Sequence, residues 1–76
     1  MVKAYVLIKA EPGRTQEVVA ALRAHQSVQQ ADAITGPADI IAQVTALDAR
    51  ALSDLIFSSI QAIEGVRETD TRIVVH

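Results

Sequence analysis

From Val2 to Ala10 the sequence alternates strictly between apolar side chains and a second, mixed set, which is the pattern of a β-strand. The wholly apolar side of this strand carries Val2, Ala4, Val6, Ile8 and Ala10. The other side is apolar only in its middle, at Tyr5 and Leu7, and it is charged at Lys3 and Lys9. A strand of this kind lies in a sheet whose apolar face is covered, so the rest of the chain has to supply the cover.

Two segments with helical spacing of apolar residues can supply it. The first runs from residue 14 to about residue 26 and has Glu17 in its first turn, where a negative charge is favourable. The second follows Asp48, a good N-cap residue, and ends at Gly65, a residue typical of helix C-termini. The sequence therefore predicts two amphipathic helices.

Three further segments have the composition of strands: residues 28–35, 39–46 and 66–75. A turn at Gly36-Pro37 separates the first two. The resulting order is βαββαβ, and right-handed crossovers fold this order into a four-stranded antiparallel sheet with both helices on one face. The predicted class is α+β with a ferredoxin-like arrangement, and we expect residues 1–76 to form one domain.

The second face of this sheet has no cover within the chain. Tyr5, Leu7 and Ile41 belong to it, and the last strand can present alternate residues to the same side: Thr69, Thr71, Ile73 and Val75. Exposed apolar patches usually mark interfaces, and a chain of 76 residues without disulfides needs extra burial. We therefore expect dimerisation through the sheet. Phe57 lies off the buried stripe of the second helix and is either a stray aromatic or a second contact surface.

Composition excludes several classes of site. The chain has no Cys, which rules out disulfides, Cys-based zinc sites, iron–sulfur clusters and thiol nucleophiles. A formal net charge of −2 argues against direct binding of DNA or RNA. No segment approaches the ~20 apolar residues of a membrane span and no signal peptide is recognisable, so we expect a cytoplasmic protein without a membrane partner.

Nothing in the sequence indicates catalysis, a metal site or a cofactor. His25 ends a predicted helix and His76 ends the chain, positions where a His usually caps carbonyls or is solvated. The acidic residues and histidines lack the clustering that a metal ion requires. Ser58 and Ser59 have no base near them in sequence. We therefore expect a protein that is not an enzyme.

The turn at residues 35–39, Thr-Gly-Pro-Ala-Asp, is the first of three candidate binding sites. Gly36 allows a ligand to approach the backbone closely, and Asp39 can accept a hydrogen bond from an ammonium group. Taken alone, the same residues also fit an ordinary turn in which the Asp bonds to its own backbone.

Two other polar stretches are weaker candidates. Residues 65–71 place Thr69 and Thr71 on one side of a strand, where their hydroxyls can bind a carboxylate, although Thr is also a common strand residue. Residues 11–13, Glu-Pro-Gly, precede a helix whose N-terminal amides can bind an anion, although most Pro-Gly turns bind nothing.

These stretches together resemble a known family. They are residues 2–8, 12–13, 35–41 and 63–66, with Thr69 and Thr71. They are similar to the effector-binding half of the Lrp/AsnC transcriptional regulators, also called the RAM domain, and the resemblance runs almost end to end. Its most specific parts are the Gly-x-x-Asp turn and the Gly-Val-x-x-Thr-x-Thr strand. Regulators of this family carry an N-terminal helix-turn-helix domain, so residues 1–76 resemble a stand-alone effector domain without one.

The resemblance implies a dimeric α/β barrel formed through the sheets, and rings such as octamers or decamers built from the dimers. It also implies a small effector, usually an amino acid, held between dimers, and a full-length Lrp/AsnC regulator as a further partner. The implied site residues are Gly36, Asp39, Thr69 and Thr71, with Thr35 and Ala38 as backbone or wall. The family usually has an acidic or Asn residue and then an aromatic between the Gly and the Asp, whereas this chain has Pro37-Ala38.

Our first hypothesis is therefore a non-catalytic amino-acid sensor. The second is an ACT-type regulatory domain, which shares the βαββαβ order and binds amino acids near the first strand–helix turn, at residues 11–13 here. The third is a small α/β-barrel enzyme, disfavoured because such sites are lined with His, Asn or aromatic residues and Tyr5 is nearly alone. A module that only oligomerises is the fourth.

Overall fold

The structure, a computed structural model, describes residues 1–76 and confirms the predicted fold class and element order. The elements are β1 (Val2–Ala10), α1 (Thr15–Arg23), β2 (Val28–Ala33), β3 (Ile40–Ala46), α2 (Ala49–Asp54), a π-helical segment (Leu55–Ile60) and β4 (Val66–Ile73). The strands form one antiparallel sheet in the order β2-β3-β1-β4. The first strand of the chain is therefore central, and β2 and β4 are the edges.

The core lies between the helices and one face of the sheet. All 17 buried residues are apolar, so no polar side chain has to be satisfied inside the core. The inward side of β1 is as predicted, and Val6 and Ile8 are fully buried on it. Val18 and Leu22 of α1 and Ile60 of the π-helical segment pack over that face from the helical layer. The opposite face of the sheet carries no helix and is called the open face below.

The second helical region is not the single α-helix that the sequence predicts. It begins as expected, because the side chain of Asp48 accepts a hydrogen bond from the backbone N–H of Ala51 at 2.8 Å. From Leu55 onwards the turns widen, and the N–H of Gln61 donates to the carbonyl of Ile56 at 2.8 Å, five residues earlier. The segment still buries its apolar side chains, while Phe57 is 65% exposed.

α1 ends at Arg23, before the predicted end at residue 26, because the chain turns directly into β2. His25 shapes this turn. Its Nδ1 accepts a hydrogen bond from the N–H of Ser27 at 3.1 Å, and its backbone N–H donates to the carbonyl of Leu22 at 3.0 Å. His25 is half-buried and acts as a turn residue.

The last strand corrects one expectation about the open face. Thr69, Thr71 and Ile73 lie opposite Ile8, Val6 and Ala4, respectively, and therefore share their helix-covered face. The open face of β4 instead carries Glu68, Asp70 and Arg72. The cause is a β-bulge, since Ala10 pairs with Val66 but Lys9 pairs with Glu68, which leaves Arg67 as an extra residue and shifts the alternation by one.

The two edges of the sheet differ. At β2, the Arg23 side chain donates from Nε to the carbonyl of Ala31 at 2.9 Å and lies 3.4 Å from Asp32. It therefore occupies a backbone acceptor on the outer side of that strand. No comparable side chain lies on the backbone of β4.

Candidate functional site

A cavity of about 500 Å³ opens on the open face, between the β2–β3 loop and β4. The loop comprises residues 34–39 and is longer than the predicted Gly36-Pro37 turn, because β2 ends at Ala33 and β3 begins at Ile40. Residues of β1, the loop and β4 line the cavity: Leu7, Lys9, Ile34, Thr35, Pro37, Ala38, Glu68, Thr69, Asp70 and Arg72. Its volume lies within the range of small-molecule sites.

Asp39 fixes the loop to the end of β1. Its Oδ2 accepts from the N–H of Ala10 at 2.9 Å, and its own N–H donates to the carbonyl of Ile8 at 2.9 Å. Its carbonyl accepts from the N–H of Ile34 at 2.8 Å, which closes the loop on itself. The carboxylate thus continues the β1–β3 pairing beyond the last paired residues, and Asp39 positions the wall of the cavity.

The loop also carries free backbone donors. The N–H groups of Thr35, Gly36 and Ala38 make no hydrogen bond within the chain, and Pro37 has no N–H. Gly36 has φ +117°, a value that L side chains rarely adopt, and a Cβ there would meet nothing within 4 Å. A ligand can therefore approach the Gly36 backbone, and neighbouring amides of this kind suit an anionic group such as a carboxylate.

The side of the cavity formed by β1 and β4, called the far wall below, carries two ion pairs. Lys9 Nζ lies 3.4 Å from Glu68 Oε2, and Arg72 binds Asp70 through two hydrogen bonds of 3.1 and 2.9 Å. The hydrogen bonds from Arg72 hold the pKa of Asp70 below its usual value of 3.8. All four side chains are about half-exposed or more, so water screens these pairs and they contribute little to stability.

The structure does not bring all of the predicted site residues to the cavity. Thr35, Ala38 and Thr69 border the cavity, whereas Gly36 and Asp39 belong to the same loop without lining the cavity. The Thr69 hydroxyl accepts from Gln61 Nε2 at 2.9 Å on the helix-covered face, and Thr71 lies on that face as well. The third candidate stretch, residues 11–13, lies outside the cavity.

Sequence reasoning missed most of the far wall. Lys9 and Leu7 were correctly assigned to the open face, but nothing indicated that Glu68 and Asp70 stand opposite them, with Arg72 opposite Tyr5. The only sequence signal is the alternation of charged residues in β4, and its orientation is set by the bulge.

Two general features bear on the kind of site. No cluster of three or more His, Asp or Glu side chains is arranged to hold a metal ion. None of the helices has both the length and the apolar character needed to cross a bilayer.

A ferredoxin-like domain with a bare sheet face and a cavity at its β2–β3 loop has the architecture of a small ligand-binding domain. Residues 3–76 match the family model of the Lrp/AsnC ligand binding domain, so the chain belongs to that family, as the resemblance predicted. It is 35% identical over 71 residues to an uncharacterized HTH-type transcriptional regulator of Pyrococcus abyssi. That match covers 93% of this chain and 45% of the relative, so the chain spans less than half the length of the curated relatives it matches.

Solved structures show the same fold over the whole chain. A crystal structure of a Thermus thermophilus protein superimposes with a TM-score of 0.94 at 32% identity, covering 100% of this chain and 95% of that one. The feast or famine regulatory protein of M. tuberculosis, complexed with L-methionine, gives a TM-score of 0.86 at 26% identity, covering 100% of this chain and 51% of that one. The second match is to about half of a longer regulator.

Proposed function

We propose that this domain is a non-catalytic sensor that binds a free amino acid in the cavity between the 34–39 loop and β4. The observation that carries the proposal is the loop itself: two of its three residues with free amides, Thr35 and Ala38, line the cavity, and the cavity also contains charged groups of both signs. The complex of the M. tuberculosis relative with L-methionine supports an amino acid as the ligand class.

In this proposal the ligand is held by its two charged groups. Its carboxylate accepts hydrogen bonds from the N–H groups of Thr35, Gly36 and Ala38, which have no other acceptor in the chain. Its ammonium group reaches past the residues that line the cavity to Asp39, on the same loop, whose Oδ1 has no partner in the chain. Thr69 and Thr71 face the helices, so they contribute through the strand that forms the wall and not through their hydroxyls.

We further propose that a second copy of the chain covers the open face. Tyr5 remains 36% exposed at the centre of that face, beside the half-buried Leu7 and Ile41. The cavity opens on the same face, so a second copy seated there gives it another wall. A ligand that is bound more tightly by the assembled form shifts the equilibrium towards assembly, including any rings of eight or ten chains.

The regulatory consequence follows from this linkage. A domain of this kind influences transcription or amino-acid metabolism by changing its assembly, either with itself or with a full-length Lrp/AsnC regulator. The curated relatives are described as HTH-type transcriptional regulators, which supports transcription as the regulated process.

The deciding experiment is the mass in solution, measured by light scattering with and without each of the twenty amino acids, together with calorimetric titration. We expect a dimer or a larger assembly whose mass or stability changes with a small subset of amino acids. A monomer that responds to none of the twenty would overturn both the assembly and the sensor proposals.

A further inference from the structure

The outer edge of β4 carries backbone groups without a partner. The N–H of Val74 donates to the carbonyl of Lys3 at 2.9 Å, so every second residue back along β4 points its backbone groups at β1. The residues between them, Thr69, Thr71 and Ile73, point their N–H and C=O groups away from the sheet. No side chain or loop of the chain bonds to these outward groups.

A second β4 strand that runs in the opposite direction fits this edge. When a two-fold axis passes through Thr71, that residue faces its own copy, and Thr69 faces Ile73 of the partner subunit. Each outward N–H then has an outward carbonyl opposite it, as in a regular antiparallel ladder. The contact is closed, because it uses the free edge of both chains.

The charged side chains of β4 select the same register. In it, Asp70 stands opposite Arg72 of the partner subunit, at the positions of an antiparallel pair where side chains lie closest. Moving the axis by one residue, to Asp70 or to Arg72, places two like charges opposite each other, which is destabilising. The ion pair within each chain, 2.9 Å between Arg72 and Asp70, thus becomes half of a ring of four alternating charges.

The helix-covered side of this edge has accessible apolar side chains. Ile73 is 53% exposed, and the same register places it beside Thr69 of the partner subunit. Phe57 is 65% exposed and lies four residues before Gln61, whose side chain donates to Thr69 at 2.9 Å. Residues four apart share a side of a helix, so Phe57 belongs to the side that borders β4. Joining two edges therefore also takes apolar surface of Ile73 out of water.

The other edge of the sheet is a poorer partner for β4. The carbonyl of Ala31 on the outer side of β2 already accepts from Arg23 Nε at 2.9 Å. A β4 strand that paired with β2 would have to displace this side chain, whereas a second β4 displaces nothing.

We propose that the β4 edge is a second self-association surface, at which two copies join their sheets with Thr71 on the two-fold axis. The occupant is a second copy of this chain, because the donors, acceptors and charges of the edge complement themselves. The contact is small, so it joins copies already held through the open face, and in this it rests on the function proposed above. Asp70 and Arg72 also line the cavity, so the joined edges bring two cavities next to each other.

The first test is the mass of the full chain in solution, by light scattering, after Thr71→Pro or Thr71→Val. Proline removes the outward N–H of residue 71 and leaves the bonds to β1 in place, whereas valine keeps that N–H. We expect the unsubstituted chain and Thr71→Val to form particles larger than a dimer, and Thr71→Pro to stop at the dimer. Circular dichroism checks that each variant is folded.

The second test exchanges charges and does not depend on the folding of Thr71→Pro. Asp70→Arg alone brings two positive charges together across the axis, and Arg72→Asp alone brings two negative charges together, so each variant should stop at the dimer. An equimolar mixture of the two variants restores opposite charges at every position and should recover the larger mass. The double variant, which exchanges both charges within one chain, should recover it as well.

The possible failures are distinguishable. If the unsubstituted chain never exceeds a dimer, if folded Thr71→Pro keeps the larger mass, or if the mixture of charge variants does not recover it, the edge contact is wrong. The open-face dimer and the sensor function then stand. If the single charge variants fall to monomers, these charges act in the open-face contact and the edge contact is again wrong. A monomeric unsubstituted chain contradicts the open-face contact as well.

Discussion

At the scale of single residues, Asp39 combines a structural role with a proposed binding role. One carboxylate oxygen binds the Ala10 N–H, and the other has no partner in the chain. These roles can be separated because Asn keeps one oxygen acceptor but carries no charge.

We expect Asp39→Ala to lower the free energy of unfolding by about 1–3 kcal/mol, because it leaves the part-buried Ala10 N–H without an acceptor. Asp39→Asn should retain most of the stability but weaken amino-acid binding by about tenfold or more. Urea denaturation and calorimetry measure the two effects. Asp32→Ala, which removes only exposed contacts, is the control and should cost less than about 0.5 kcal/mol. Full binding by Asp39→Ala would favour a site at residues 11–13.

Asp70 allows a prediction about pH. Its pKa is lowered by the hydrogen bonds from Arg72, so the pair is formed above the usual Asp value of 3.8 and is lost as the pH falls through the lowered value. An NMR titration should show Asp70 titrating below 3.8, and Arg72→Gln should bring it back towards that value. An unchanged titration in Arg72→Gln would show that the pair does not persist in solution.

At the scale of elements, the sequence predicts a strand where one face is apolar throughout, as it is in β1 and β3. The sequence does not predict which side of β4 faces the helices, because the residues from Arg67 to Arg72 are all charged or Thr and neither side of the strand is apolar. The bulge at Arg67, which decides the orientation, is a property of the β1–β4 pairing. Because of this bulge, the residues that β4 contributes to the candidate site could not be predicted. The loop could be located, since Gly36 and Asp39 mark it in the sequence. The π-helical widening also escapes prediction, since its buried positions fit an α-helix equally well.

The junction between the second helical region and β4 depends on Gly65. Its φ is +101°, and a Cβ there would lie 3.0 Å from Val18 Cγ2 and 3.1 Å from Arg14 Cβ. Gly13 also has a positive φ, +80°, but a Cβ there meets nothing within 4 Å. We expect Gly65→Ala to destabilise by about 1–3 kcal/mol, and Gly13→Ala by about 1 kcal/mol from conformation alone. If the two variants lose the same stability in thermal unfolding, the contact between the new Cβ at residue 65 and α1 is relieved at no energetic cost.

At the scale of the whole molecule, the open face is expected to be covered by a second copy. Leu7→Asp places a charge at the centre of that face and should convert the assembly to monomers, as measured by light scattering. Ala20→Asp on the exposed side of α1 is the matched control and should leave the mass unchanged. Assembly that survives Leu7→Asp would mean that another surface, such as the one around Phe57, holds the copies together.

The unequal edges of the sheet also limit how copies can polymerise. If chains add strand to strand, β4 of one against β2 of the next, each addition must displace Arg23 from the Ala31 carbonyl. Joining two β4 strands consumes both unprotected edges at once and leaves none for a third chain. The Arg23 side chain therefore disfavours, at the β2 edge, the successive strand additions from which open-ended fibrils grow.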